Sequence, residues 1–155
     1  MKADIIAFSG NKIISRLIRW VTKSDINHVA IMVGDNVLME TAWNGVRLRR
    51  LKESEKNYKI LRYEGLTYGQ KKGISCFVLN SVKTKYDYKL FFGIGLNLLF
   101  GLDTKWNNKN RYICAQLILK AYKSVGINLV PGYSEHNIIP DDIIKADRLK
   151  VVKYK

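Results

Sequence analysis

His28-Val-Ala-Ile-Met-Val-Gly34, then Asp35-Asn36, then Val37-Leu-Met-Glu-Thr-Ala42 decides how this chain is read. Two apolar runs of strand length joined by turn-forming residues make an antiparallel hairpin. Side chains alternate along a strand, so the turn sets which residues share a face with His28. A three-residue turn through Gly34-Asp-Asn36 pairs Val33 with Val37, sets Ala30 opposite Glu40, and puts Glu40 on the face of His28. A two-residue turn at Asp35-Asn36 puts Thr41 there instead. A carboxylate orients an imidazolium better than a hydroxyl does, which favours Glu40 and leaves Thr41 as the fallback.

Working outward, Asp4 to Phe8 reads as a short buried strand, Val46–Leu51 as a strand after the turn pair Asn44-Gly45, and Tyr58–Tyr63 as another. Helical spacing covers residues 12–22, where Lys12, Arg16, Arg19 and Lys23 form a basic stripe beside an apolar one. Thr67 to Leu79 and Tyr86 to Phe100 are also expected to be helical. A further helix runs from Cys114 to about Ser124 and stops at Gly126. Pro140 with Asp141 and Asp142 starts a short helix; these carboxylates are helix-start residues, not an acid pair. Val151–Tyr154 is the last strand. The mixture is α+β, in one domain over residues 1–155.

The chain has 155 residues, is 47% hydrophobic and contains only 2 Pro, which excludes a disordered polymer and allows a sizeable core. Its 27 basic and 13 acidic side chains give a net charge of +14. Such a field attracts anionic partners, whether nucleic acid, acidic cell-wall polymer or anionic lipid, and does not choose among them. The stretch Leu90 to Leu102, broken by glycines, is too short to span a membrane and reads as a buried helix or an interfacial segment. No signal peptide is visible, so a cytoplasmic or phage-associated location is expected. Cys76, in Ile74-Ser-Cys-Phe-Val-Leu79, reads as an inert core residue. No zinc-ligand spacing and no phosphate-binding glycine loop is present, so no metal or cofactor is expected.

Chemistry enters with Cys114 and His28. A thiol at the start of the helix Tyr112-Ile-Cys-Ala-Gln-Leu-Ile-Leu-Lys-Ala-Tyr122 has its pKa lowered by the helix end. An imidazole at a strand end can take the thiol proton and return it to a leaving group. His136, in Gly132-Tyr-Ser-Glu-His-Asn137, is a rival base without a carboxylate at strand spacing. Asp87 is better placed to cap a helix than to touch substrate.

The same stretches carry a resemblance. Leu17-Ile-Arg-Trp-Val-Thr22 leading into Asn27-His28-Val-Ala-Ile-Met-Val-Gly34, Val37-Leu-Met-Glu40-Thr-Ala with Gly45-Val46, Tyr86-Asp-Tyr88, Tyr112-Ile-Cys114-Ala-Gln-Leu117 and Ile139-Pro-Asp-Asp142 are similar, in this order, to the permuted NlpC-type papain-like hydrolases, YiiX-like branch. In papain-like enzymes the cysteine usually precedes the histidine; here it follows, as circular permutation would produce. The resemblance implies a papain-like antiparallel sheet packed on helices, with Cys114 as nucleophile, His28 as base and Glu40 as the group that orients the imidazole. Where the family often has Ser-Glu after its cysteine, this chain has Ala115-Gln116.

Two-step acyl transfer through a thioester follows from that site, with the Cys114 amide holding the oxyanion and Tyr112 bordering the substrate pocket. The resemblance implies amide, peptide or ester substrates, with cell-wall peptides and lipid acyl groups both represented. The competing reading is a basic binding or virion structural protein that keeps the fold without the chemistry. It would hold nucleic acid, anionic lipid or cell-wall polymer through Lys12, Arg16, Arg19 and Lys23.

Overall fold

A computed structural model describes residues 3–9, 24–102, 111–134 and 137–154, with no side-chain description for Tyr154. The basic stripe Lys12, Arg16, Arg19 and Lys23 and the rival base His136 lie outside the described residues. The elements run β1 (Ile5–Phe8), β2 (His28–Gly34), β3 (Val37–Ala42), β4 (Gly45–Arg50), β5 (Tyr58–Tyr63), α1 (Tyr68–Asn80), β6 (Lys85–Tyr86), α2 (Tyr88–Phe100), β7 (Arg111–Tyr112), α3 (Cys114–Lys123), α4 (Pro140–Ile144) and β8 (Leu149–Tyr154).

Six strands form one antiparallel sheet in the order β4-β3-β2-β1-β5-β8, and β6 and β7 form a separate two-stranded parallel pair. The architecture is the α+β arrangement expected. One face of the sheet, with Ile5, Ala7, Val29, Ile31, Met39 and Leu61, packs on apolar side chains of α1, α3 and α4 to make the main core. The opposite face carries a second cluster that includes Ile6, Phe8, Ala30, Met32, Leu38 and Tyr58. Both faces are apolar, so these strands read as near-continuous hydrophobic runs.

The hairpin register has a physical solution that neither simple turn supplies. The turn is the two-residue Asp35-Asn36, with Asn36 at φ 55°, so Gly34 and not Val33 pairs with Val37. Val33 is then an extra residue, because the next pair is Met32 with Leu38. This bulge restores the pairing of Ala30 with Glu40 that the three-residue turn was expected to give. Thr41, buried and paired with Val46, is on the other face, and among the described residues its hydroxyl has no partner.

Several expectations shift in detail. Gly45 already belongs to β4 at φ +110°, paired with Ala42. A Cβ there would lie 2.3 Å from the Thr84 carbonyl oxygen, so only glycine lets the β3–β4 turn approach the chain leading into β6. Tyr86 is not helical: it pairs with Tyr112, and α2 starts at Tyr88 after its cap Asp87, whose Oδ1 accepts from the Leu90 N–H at 3.1 Å. Cys76 is exposed, not core. In the uncharged run of α1 the inward residues are Ile74, Ser75 and Val78, which turns Cys76 toward solvent. The last strand begins at Leu149, two residues earlier than expected.

Candidate active site

β2 delivers His28 at its first residue and α3 delivers Cys114 at its first residue; α3 packs across β2 and β3. Sequence-distant residues therefore meet at one end of the sheet. The Cys114 thiol and the His28 imidazole lie close enough to shift one another by hydrogen bonding and charge, and the backbone N–H groups of Val29 and Ala115 also act on the sulfur. On the ring's other side His28 Nε2 is 3.2 Å from Glu40 Oε2, which leaves Nδ1 for the thiol. The sequence assigned these three residues, and the structure brings them together.

Electrostatics shifts the titration of both groups. Burial alone would push the thiol up and the imidazole down. For Cys114 the hydrogen bond and charge of His28, with the two backbone donors, outweigh burial and bring the thiol below its ordinary value. For His28 burial is outweighed by hydrogen bonds and charge from Cys114 and Glu40, and its pKa rises to about 9. At neutral pH this favours a thiolate beside an imidazolium. The ring is enclosed by protein, yet 27% of its side-chain surface still meets solvent.

Glu40 is held more firmly than the sequence reading anticipated. Its carboxylate is 5% exposed and receives Arg47 Nε and Nη2 at 2.9 and 2.8 Å on Oε1. Arg49 Nε approaches Oε2 at 2.9 Å. Burial raises the carboxyl pKa, but His28, Arg49 and Arg47 overcome it and hold the group ionised well below the usual carboxylate range. Arg49 also lies over the Phe8 ring at 5.3 Å, and that ring stacks on His28 at 5.9 Å and 27°. Phe8 is thus a wall that limits rotation of the imidazole.

Arg47 and Arg49 were legible in principle. They alternate in β4, and the β3–β4 register sets Arg47 directly opposite Glu40. Tyr86 was legible only as part of a motif. It is half-buried near enough to Cys114 that, after burial, the charge there is a cause of its raised pKa; its phenol stays protonated and can donate. Tyr112, two residues before Cys114, is half-buried against the core with Lys120 Nζ 4.8 Å from its ring centroid. Gln116 is fully buried and its Oε1 accepts from the Ile113 N–H at 3.5 Å, so it braces the start of α3.

Among the described residues no group of three or more His, Cys, Asp or Glu side chains is placed to hold a metal ion, and no helix is long and apolar enough to cross a membrane. Comparison with curated protein sequences gave no match. Among solved structures, the chain is similar to the metalloprotein YiiX from Escherichia coli O157:H7. Identity is 17%, 100% of this chain and 97% of that one are covered, and the TM-score is 0.75, which shows a shared fold. The permuted papain-like amidases of the YaeF/YiiX type, family C92, match over residues 4–150. With sequence, fold and the reversed order of histidine and cysteine in agreement, the chain belongs to this permuted papain-like amidase family.

Proposed function

We propose that this protein hydrolyses amide bonds by acyl transfer to Cys114, with His28 as acid and base and Glu40 orienting the imidazole. The observation that carries the reading is the placement of the His28 ring between a lowered thiol and a fixed carboxylate. The thiolate attacks the carbonyl carbon, a C–S bond forms, and the carbonyl electrons move onto oxygen. The Cys114 backbone N–H at the helix start and the Tyr86 phenol are the donors for that oxyanion. Collapse breaks the C–N bond as His28 gives its proton to the departing nitrogen. Water then attacks the thioester, His28 takes a water proton, and the carboxylate product leaves with the thiolate regenerated. Tyr112 borders the acyl pocket in this reading, and peptide, cell-wall and lipid-acyl groups are its substrate classes. Esters would pass through the same steps with an alcohol as leaving group.

The test is alkylation of Cys114 against pH in a Cys76→Ala background, with and without His28→Ala, followed by turnover of amide substrates. An activated nucleophile titrates well below the free thiol value of about 8.5 and moves back toward it without His28. A slow, His28-independent reaction together with no turnover would leave the binding-protein reading in its place.

A further inference from the structure

α2 (Tyr88–Phe100) is apolar on both sides, while among the described residues only one side is covered. Leu90, Gly93 and Ile94 face inward, where Leu90 and Ile94 pack on Ile113, the residue before the nucleophile. Tyr88, Phe92, Gly95 and Leu99 follow at i, i+4, i+7 and i+11 and form the opposite stripe. That stripe faces solvent: Phe92 is 63% exposed and Leu99 47%, and Phe100 at the helix end is 69%. A helix apolar all round is normally buried on all sides. The patch continues to Trp43, 76% exposed on the β3–β4 turn, whose carbonyl accepts from the Tyr88 hydroxyl. The exposed charges from Val82 to Leu102 are all positive, namely Lys83, Lys85 and Lys89; the single acid, Asp87, is buried as the helix cap.

We propose that this face of α2, with Trp43 and the three lysines, seats the protein on an anionic lipid bilayer. The chemistry of the patch selects this occupant. Phenylalanine and leucine side chains enter the acyl boundary, tryptophan and tyrosine suit the interfacial layer, and lysines around them meet lipid phosphates. A second copy fits poorly. In a two-fold contact centred on this stripe, the lysine rims of two chains, each of net charge +14, would face one another. The covered side of the same helix packs on Ile113, the residue before Cys114, so docking through α2 would place a neighbour of the candidate site on the membrane-bound element.

The experiment is co-sedimentation of the full chain with vesicles of phosphatidylcholine alone and of phosphatidylcholine with roughly a third phosphatidylglycerol. The expected result is binding to the anionic vesicles only, weakened about tenfold or more by Phe92→Ser with Leu99→Ser. Each lysine near an anionic surface contributes about a fivefold factor, so the triple change of Lys83, Lys85 and Lys89 to Gln should weaken binding by roughly 10²-fold. Val151→Ser with Val152→Ser, an apolar pair of comparable exposure on β8, should leave it unchanged. Far-UV circular dichroism and the melting temperature establish that the variants are folded. Absence of binding to anionic vesicles overturns the proposal, as does binding that survives the α2 variants. It also fails if sedimentation velocity shows a dimer that Phe92→Ser dissociates. Cys114→Ala should bind vesicles like the parent, so loss of turnover and loss of docking are read separately.

Discussion

Replacing Glu40 by Gln isolates the contribution of one charge. Glutamine keeps the volume and can still accept from Arg47 and donate to or accept from the ring, so packing is nearly conserved while the carboxylate charge is removed. Two unit charges about 4 Å apart interact by about 1 kcal/mol in water and about 4 kcal/mol at an effective dielectric of about 20. His28, 27% exposed and 3.2 Å from the carboxylate, sits between these limits. At 1.36 kcal/mol per pK unit, the imidazole should therefore fall from about 9 by about 1–3 units. Arg47 and Arg49, no longer neutralised, act in the same direction. The ion pair is then depopulated near neutral pH, and the thiol moves up because its imidazolium partner is lost. Turnover should drop by up to about 10⁴, the loss found when a triad aspartate is replaced by its amide. The assay pairs an NMR titration of the His28 ring with the alkylation profile of Cys114 in the Cys76→Ala background. A folded Glu40→Gln protein with an unshifted His28 and near-parental turnover would refute the reasoning.

Other outcomes follow from the same geometry. Cys114→Ala should abolish amide turnover while leaving the melting temperature within a few degrees, by assay and thermal melt. The pH–rate profile should have an acid limb below the ordinary thiol range, where the Cys114 thiolate gains its proton, and an alkaline limb near 9, where His28 loses the proton it gives to the leaving group. If Tyr86 donates to the oxyanion as proposed, Tyr86→Phe should lower kcat by about 10²–10³ with little change in the alkylation profile, since the ion pair stays intact. Gly45→Ala combines a strained φ with the 2.3 Å approach to Thr84 O, and should cost about 2–4 kcal/mol in chemical denaturation.

Much of this was legible because strong local signals and long-range packing agree. The strands His28–Gly34, Val37–Ala42 and Tyr58–Tyr63 are bounded by turn residues that fix their ends. Cys114 opens its helix because Ile113 is extended at ψ 166° and the apolar periodicity begins there. The parallel pairing of Tyr86 with Tyr112 was not legible, since two residues carry no periodicity and their partners are distant in sequence. Nor was the orientation of Cys76: six consecutive residues of α1 without a charge give no phase, and only the packing of α1 on α3 turns that thiol outward. The arginine grip on Glu40 needed the β3–β4 register, which the Asn44-Gly45 turn placed one residue too late.

The bulge at Val33 shows how narrowly the site depends on register. With Gly34 paired to Val37, an unbulged ladder would set Val33 opposite Leu38 and carry Thr41 to the place opposite Ala30. His28 would then share its face with a hydroxyl, and Glu40, with its attendant arginines, would turn to the other side. Val33 prevents this by dropping out of the ladder. Deleting Val33 should therefore be tolerated where deletion of a paired residue is not: Gly34–Val37 and Met32–Leu38 become consecutive pairs, and Ala30 still meets Glu40. The cost is the partial burial of one valine, about 1–2 kcal/mol, measured by denaturant unfolding. The Cys114 alkylation profile and amide turnover should stay near parental. A stable deletion variant with a free-thiol profile would show that the bend of the bulge, and not the register it restores, holds His28 against Glu40.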